Sequence, residues 1–222
     1  MTRLARLIAP ALAAAAALAW SAAPALAGGS GWHVGSYTPS GRALSSASAD
    51  RTTNGLATFT FTNQPNTALL VTDQGSSSLL GDDRGKNVTA VFTIAGATGA
   101  FTYFGQPDGC DNPPGSHPAN TRLFFQTSNS GGFDETHFWW SNPSSAILAN
   151  GTLTVIATVN GAEWSDFFGH FGSDPAYSAG FDAAASNVTS IGLSFGGGCF
   201  FENGVGTADG SGTFTLTSFS VT

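Results

Sequence analysis

The sequence predicts an all-β protein, an antiparallel two-sheet β-sandwich with long Gly- and Pro-rich loops. Three observations predict it. Apolar residues recur at every second position in one run after another, which is the period of a strand with one buried face. Gly, Pro and Asn interrupt those runs at short intervals, as turns between strands require. Charged residues make up only 9% of the chain, and Thr, Ser, Gly and Asn fill the polar positions instead, a composition common on exposed strand faces.

The elements follow in chain order. Arg3 and Arg6 precede an alanine-rich apolar stretch from Leu7 to Ala19, and Ala25-Leu26-Ala27 fits the small-x-small rule for cleavage before Gly28. Residues 1–27 are therefore expected to be a signal peptide and residues 28–222 a single sandwich domain. The apolar stretch is shorter than the ~20 residues a membrane-spanning helix needs. The mature chain is expected to be secreted, without a membrane span. Gly31 to Tyr37 reads as a first strand, followed by a polar, Ser-rich connector from Pro39 to Thr53. Phe59 and Phe61 alternate with threonines, Leu69 to Thr72 is a short apolar run, and Val88, Ala90, Phe92 and Ile94 share one face. Short strands are also expected at Phe101 to Phe104, Leu123 to Gln126, Phe138 to Trp140 and Ile147 to Leu148. Leu153, Val155, Ala157 and Val159 give the cleanest alternation, bounded by Asn150-Gly151 and Asn160-Gly161. The alanines of Pro175 to Ala185 predict a short turn of helix at most.

Lys and Arg number 7 against 14 Asp and Glu. Two of the bases, Arg3 and Arg6, leave with the signal. Such a surface cannot neutralise a phosphate backbone, so nucleic acid is excluded as a partner class. Cys110 and Cys199 are the only cysteines. In an oxidising compartment they are expected to form one disulfide, contributing ~4 to 5 kcal/mol in the chain-entropy picture. Neither stands in a C-x-x-C pair, and no histidine has metal-finger spacing.

The stretch Asn187-Val188-Thr189-Ser190-Ile191-Gly192-Leu193-Ser194-Phe195, a Gly-rich loop, and then Gly212-Thr213-Phe214-Thr215-Leu216-Thr217-Ser218-Phe219-Ser220-Val221 resembles the closing strand pair of jelly-roll sandwiches of the galactose-binding-like type. Many carbohydrate-binding modules belong to that class. The resemblance covers about the last fifth of the chain and implies a jelly-roll-like fold with a glycan as ligand. It departs from the class where an acidic residue of the last strand would help hold calcium, because this chain reads Leu216-Thr217-Ser218-Phe219. No cofactor is expected. Calcium would require Asp82-Asp83, Asp108 with Asp111, and Asp209 to converge, and solvated turn acids are the simpler reading.

Two aromatic clusters are the candidate ligand-binding residues. His137-Phe138-Trp139-Trp140 and Trp164-Ser165-Asp166-Phe167-Phe168-Gly169-His170 set rings beside polar groups. Sugars present apolar ring faces to aromatic planes while their hydroxyls bond to polar side chains. Strand alternation would send Phe138 and Trp140 into the core and leave His137 and Trp139 outside. The expected binding set is Trp139, His137, Trp164, Asp166 and His170, with core packing the competing role for the tryptophans. Catalytic patterns are sparse. Glu163 and Asp166 lie three residues apart, which in a strand puts them on opposite faces, and Gly192-Leu193-Ser194-Phe195-Gly196 matches a nucleophile elbow by spacing but sits in a strand pattern. The expected function is non-enzymatic binding of a glycan or extracellular surface partner. The alternatives are a structural surface protein without a small-ligand site and a carbohydrate-active hydrolase or lyase.

Overall fold

The structure is a computed structural model, and it describes residues 31–37, 44–53, 55–74, 78–104, 118–128, 134–197 and 203–222. The expected signal peptide and the Cys110–Cys199 disulfide lie outside the described residues. In chain order the strands are β1 (His33–Tyr37), β2 (Leu44–Ser48), β3 (Asp50–Thr52), β4 (Gly55–Thr60), β5 (Thr67–Thr72), β6 (Asn87–Ala95), β7 (Phe101–Tyr103) and β8 (Asn120–Gln126). They continue with β9 (Phe138–Ser141), β10 (Ala146–Ile147), β11 (Gly151–Thr158) and β12 (Trp164–Ser165). The helix α1 (Ser178–Ala185) precedes β13 (Ser190–Gly196), β14 (Val205–Thr207) and β15 (Thr213–Val221).

These strands make an all-β sandwich of two antiparallel sheets. The larger has ten strands in the order β12-β9-β8-β13-β5-β1-β2, with β10 attached to β8 and β14 to β5 and β7. The smaller has five, in the order β11-β6-β15-β4-β3. Each sheet is closed by a late strand. β13 joins β8 to β5, and β15 joins β6 to β4.

The core lies between the sheets. β6 buries Val88, Ala90, Phe92 and Ile94 and turns the intervening residues outward, as period two dictates. β15 buries Phe214, Leu216 and Phe219 on that side. Leu216 and Phe219 are three apart, so strict alternation would send them to opposite faces. A register shift between Leu216 and Ser218 restores the match, and the Thr217 hydroxyl donates to the Val91 carbonyl at 2.8 Å within it. Phe59, Phe214 and Phe92 stack across adjacent strands at 4.9 and 4.8 Å. Phe195 of the opposing sheet meets Phe214 edge-on at 5.4 Å, so aromatic pairs tie the layers together.

The structure differs from the expectations in identifiable places. The Ser-rich connector contains β2 and β3. Residues 45–48 are exposed edge-strand positions that need no apolar alternation. The Gly-rich segment before Gly206 gives way to β14, whose Val205 is fully buried. The helix is eight residues long, more than a single turn, because Phe181, Ala184 and Ala185 present one buried face to the core. The faces of β9 are reversed from the expectation. Trp139 points into the main core, while Phe138 and Trp140 lie on the outer side of the large sheet with Ala68, Leu69 and Phe124.

Candidate functional site

The outer face of the large sheet is where several strands bring chemistry together. Phe124 and Trp140 are opposite each other across β8 and β9, their rings 5.1 Å apart, and both are buried. On β13 the residues between the core positions are small: Ser190, Gly192, Ser194 and Gly196. Ser194 is wholly buried, accepts the Trp140 indole N–H at 3.1 Å and donates to the Ala68 carbonyl at 3.3 Å. The elbow-like Gly192-to-Gly196 stretch is therefore regular strand, and its serine hydroxyl is engaged in structure.

Gly192 is where β13 closes on β5. A Cβ there would lie 2.1 Å from the Leu70 carbonyl oxygen and 2.8 Å from the Val71 Cα. Only glycine permits that approach.

Beside this apolar band a groove of about 430 Å³ crosses the sheet over β2, β1, β5, β13 and β8. Leu69 and Val71 give it an apolar floor, and Ser46, His33, Asp73, Gln126, Ser128, Thr189 and Ser190 supply polar groups around it. His33 Nε2 and an Asp73 carboxylate oxygen are 3.7 Å apart with both side chains partly open to solvent. Such a pair is loosely held and can exchange its partners for a ligand's hydroxyls.

At the β12 end of the same face the loop after Ser165 is organised by Asp166. Its side chain is wholly buried. One oxygen accepts the backbone N–H groups of Phe168 and His170 at 2.8 and 2.9 Å, and the other accepts from His170 Nδ1 at 2.9 Å. A carboxylate only accepts, so Nδ1 is the donor in this pair. Tyr177 stacks on that imidazole at 4.0 Å with planes 5° apart. Its hydroxyl oxygen lies 3.2 Å from Nε2, within hydrogen-bond distance. Phe168 is 52% exposed beside them, and Phe167 links this rim back to Trp140 at 6.2 Å.

Of the five residues expected to bind ligand, the structure joins Asp166 and His170 directly and separates the others from them. Trp139 and Trp164 are wholly buried. Trp139 meets Phe181 edge-on at 5.1 Å, and Trp164 lies 4.7 Å from Phe125. Their indole N–H groups donate to the carbonyls of Thr136 and Thr158. Both form the core behind the surface and cannot stack on a sugar from outside. His137 forms a second pair, its Nδ1 2.9 Å from Asp134. Burial raises the Asp134 carboxyl, but hydrogen bonds from Thr136 and His137 outweigh it and hold the group below the usual carboxylate range.

Four further acids have structural partners. Glu163 accepts from the Thr158 backbone N–H and the Asn160 side chain, which hold its carboxyl below its usual range. Asp209 is bound by Ser211 and Thr98 and is lowered to about 2. Asp82 pairs with Arg84 at 2.7 Å and is likewise lowered to about 2. Asp83, facing inward next to it, is raised by burial despite Lys86 at 3.0 Å. Asp108 and Asp111 lie outside the described residues, and among the described residues no three metal-ligating side chains converge. No helix among them is long and apolar enough to cross a membrane.

The groove escaped sequence reasoning because its lining comes from five strands spread between residues 33 and 190. Its one local signature is the polar residues at strand ends, Gln126 with Ser128 and Thr189 with Ser190. Compared with family models, curated proteins and solved structures, the chain matches none.

Proposed function

We propose that this protein is a secreted, non-enzymatic sandwich that binds a glycan in the groove on the outer face of its large sheet. The observation that carries the reading is the groove's lining: an aliphatic floor of Leu69 and Val71 under a ring of hydroxyl, amide, imidazole and carboxylate groups. A saccharide offers the complementary surface, with C–H patches on its ring faces and hydroxyls around its edge, and the groove volume falls within the usual range for small-ligand sites. The resemblance of the two closing strands to galactose-binding-like jelly rolls points the same way. Trp139 and Trp164, expected to stack on the sugar, are buried in the core, and the apolar contact falls to the aliphatic floor of Leu69 and Val71.

The test is titration calorimetry of the mature chain, residues 28–222, against a panel of polysaccharides with and without calcium. One polymer is expected to bind. Gln126→Ala and Asp73→Ala should each weaken it by roughly tenfold, the effect of losing one or two ligand hydrogen bonds. Both side chains lie outside the core, so melting temperatures should be unchanged. Absence of binding to every polymer, or full affinity in both variants, would refute the reading. Release of shortened products would replace the binding module with a hydrolase or lyase.

A further inference from the structure

β11 forms one edge of the small sheet. Its pairing with β6 runs in register from Gly151↔Ile94 to Thr158↔Asn87. The Val159 N–H donates to the Lys86 carbonyl at 2.8 Å, so Thr158 and Asn87 form a non-hydrogen-bonded pair. Odd-numbered residues of β11 therefore direct their backbone groups to β6, and even-numbered residues direct theirs away from the sheet. At the far end these outward groups are capped. The Thr158 N–H donates to Glu163 at 2.9 Å, and its carbonyl accepts the Trp164 indole N–H at 2.8 Å.

The outward N–H and C=O groups of Thr152, Thr154 and Ile156 have no backbone partner among the described residues. The strand reads Gly-Thr-Leu-Thr-Val-Ile-Ala-Thr, with no charge and no proline, and its pairing with β6 has no bulge. It thus lacks the features that normally protect an open edge. Ile156 is 54% exposed, and Ile147, on the short strand just before β11, is 59% exposed.

We propose that this edge pairs antiparallel with the same edge of a second copy. The hydrogen-bonding pattern selects that occupant. About a twofold axis at Thr154, residue 152 meets 156, 154 meets 154 and 156 meets 152, and every open N–H finds a carbonyl. The outer-face side-chain pairs are then Thr152 with Ile156 and Thr154 with Thr154, all β-branched and uncharged. A shift of two residues in one direction runs into the Glu163 and Trp164 cap at Thr158, and a shift in the other leaves Ile156 unpaired. The twofold register at Thr154 is the one that satisfies all three residues.

Analytical ultracentrifugation of the mature chain over a concentration series, combined with hydrogen exchange, tests this. A dimer fraction rising with concentration is expected, with slowed exchange at the amides of Thr152, Thr154 and Ile156. Thr154→Lys sets two like charges opposite each other and should weaken dimerisation by at least roughly tenfold with an unchanged melting temperature. The same charge at Thr60→Lys, on β4 three strands away from that edge, should leave dimerisation intact. A monomer at every concentration up to the solubility limit would overturn the proposal. A dimer that survives Thr154→Lys, or one that forms without protecting those amides, would do the same.

Discussion

Trp139→Ala separates a core role from a ligand-contacting one. The side chain is wholly buried, meets Phe181 edge-on at 5.1 Å and donates its indole N–H to the Thr136 carbonyl at 3.2 Å. Removing a buried tryptophan costs about 3–5 kcal/mol, because the cavity collapses only in part. For a domain of this size each kcal/mol lowers the melting temperature by about 2–4 °C. The expected loss is therefore roughly 6–20 °C, read by circular dichroism or calorimetry on residues 28–222. Trp139→Phe keeps most of the apolar volume and should recover more than half of it. A fall of less than about 3 °C in Trp139→Ala, accompanied by lost glycan affinity, would refute the core assignment and return Trp139 to the surface.

Gly192→Ala should destabilise by about 3 kcal/mol, since the new methyl meets the backbone of β5 at 2.1 Å and the strands must part; chemical denaturation with a midpoint equal to wild type would disprove the close approach. Acid provides a second check. The carboxyls of Asp82 and Asp209 are lowered from 3.8 to about 2 in the folded chain, so their contribution is complete above pH 4 and disappears as pH falls toward 2. Asp83 acts in the opposite sense. Its carboxyl is raised by burial, so it favours the fold below its unfolded value and loses that advantage as pH rises through its folded one. Asp209→Asn should flatten the fall in melting temperature between about pH 4 and 2, and an unaltered acid slope in that variant would contradict the assignment.

The two-layer fold was legible because β6, β11, β13 and β15 each bury alternate residues against one core. The orientation of β9 was not. Phe138, Trp139 and Trp140 are all apolar, so period two marks a strand without saying which face is inside. Its partner decides. Phe125, opposite Trp139, faces the core, while Phe124, opposite Trp140, faces outward. The edge strands β2 and β3 escaped notice because their side chains, largely exposed in β2, carry no apolar signal. The Asp166–His170 pair was legible because local chain folding over four residues joins it, whereas the groove depends on long-range strand order.

That strand order governs how the molecule comes into being. Before residue 190 emerges, β12, β9 and β8 share no sheet with β5, β1 and β2, nor β11 and β6 with β4 and β3. A growing chain therefore carries four separate ribbons awaiting two keystones. Because those keystones come from the final fifth of the sequence and must reach distant partners, acquisition of structure should be slow and essentially post-translational. Until then the aromatic surfaces of the half-built layers remain accessible to chaperones.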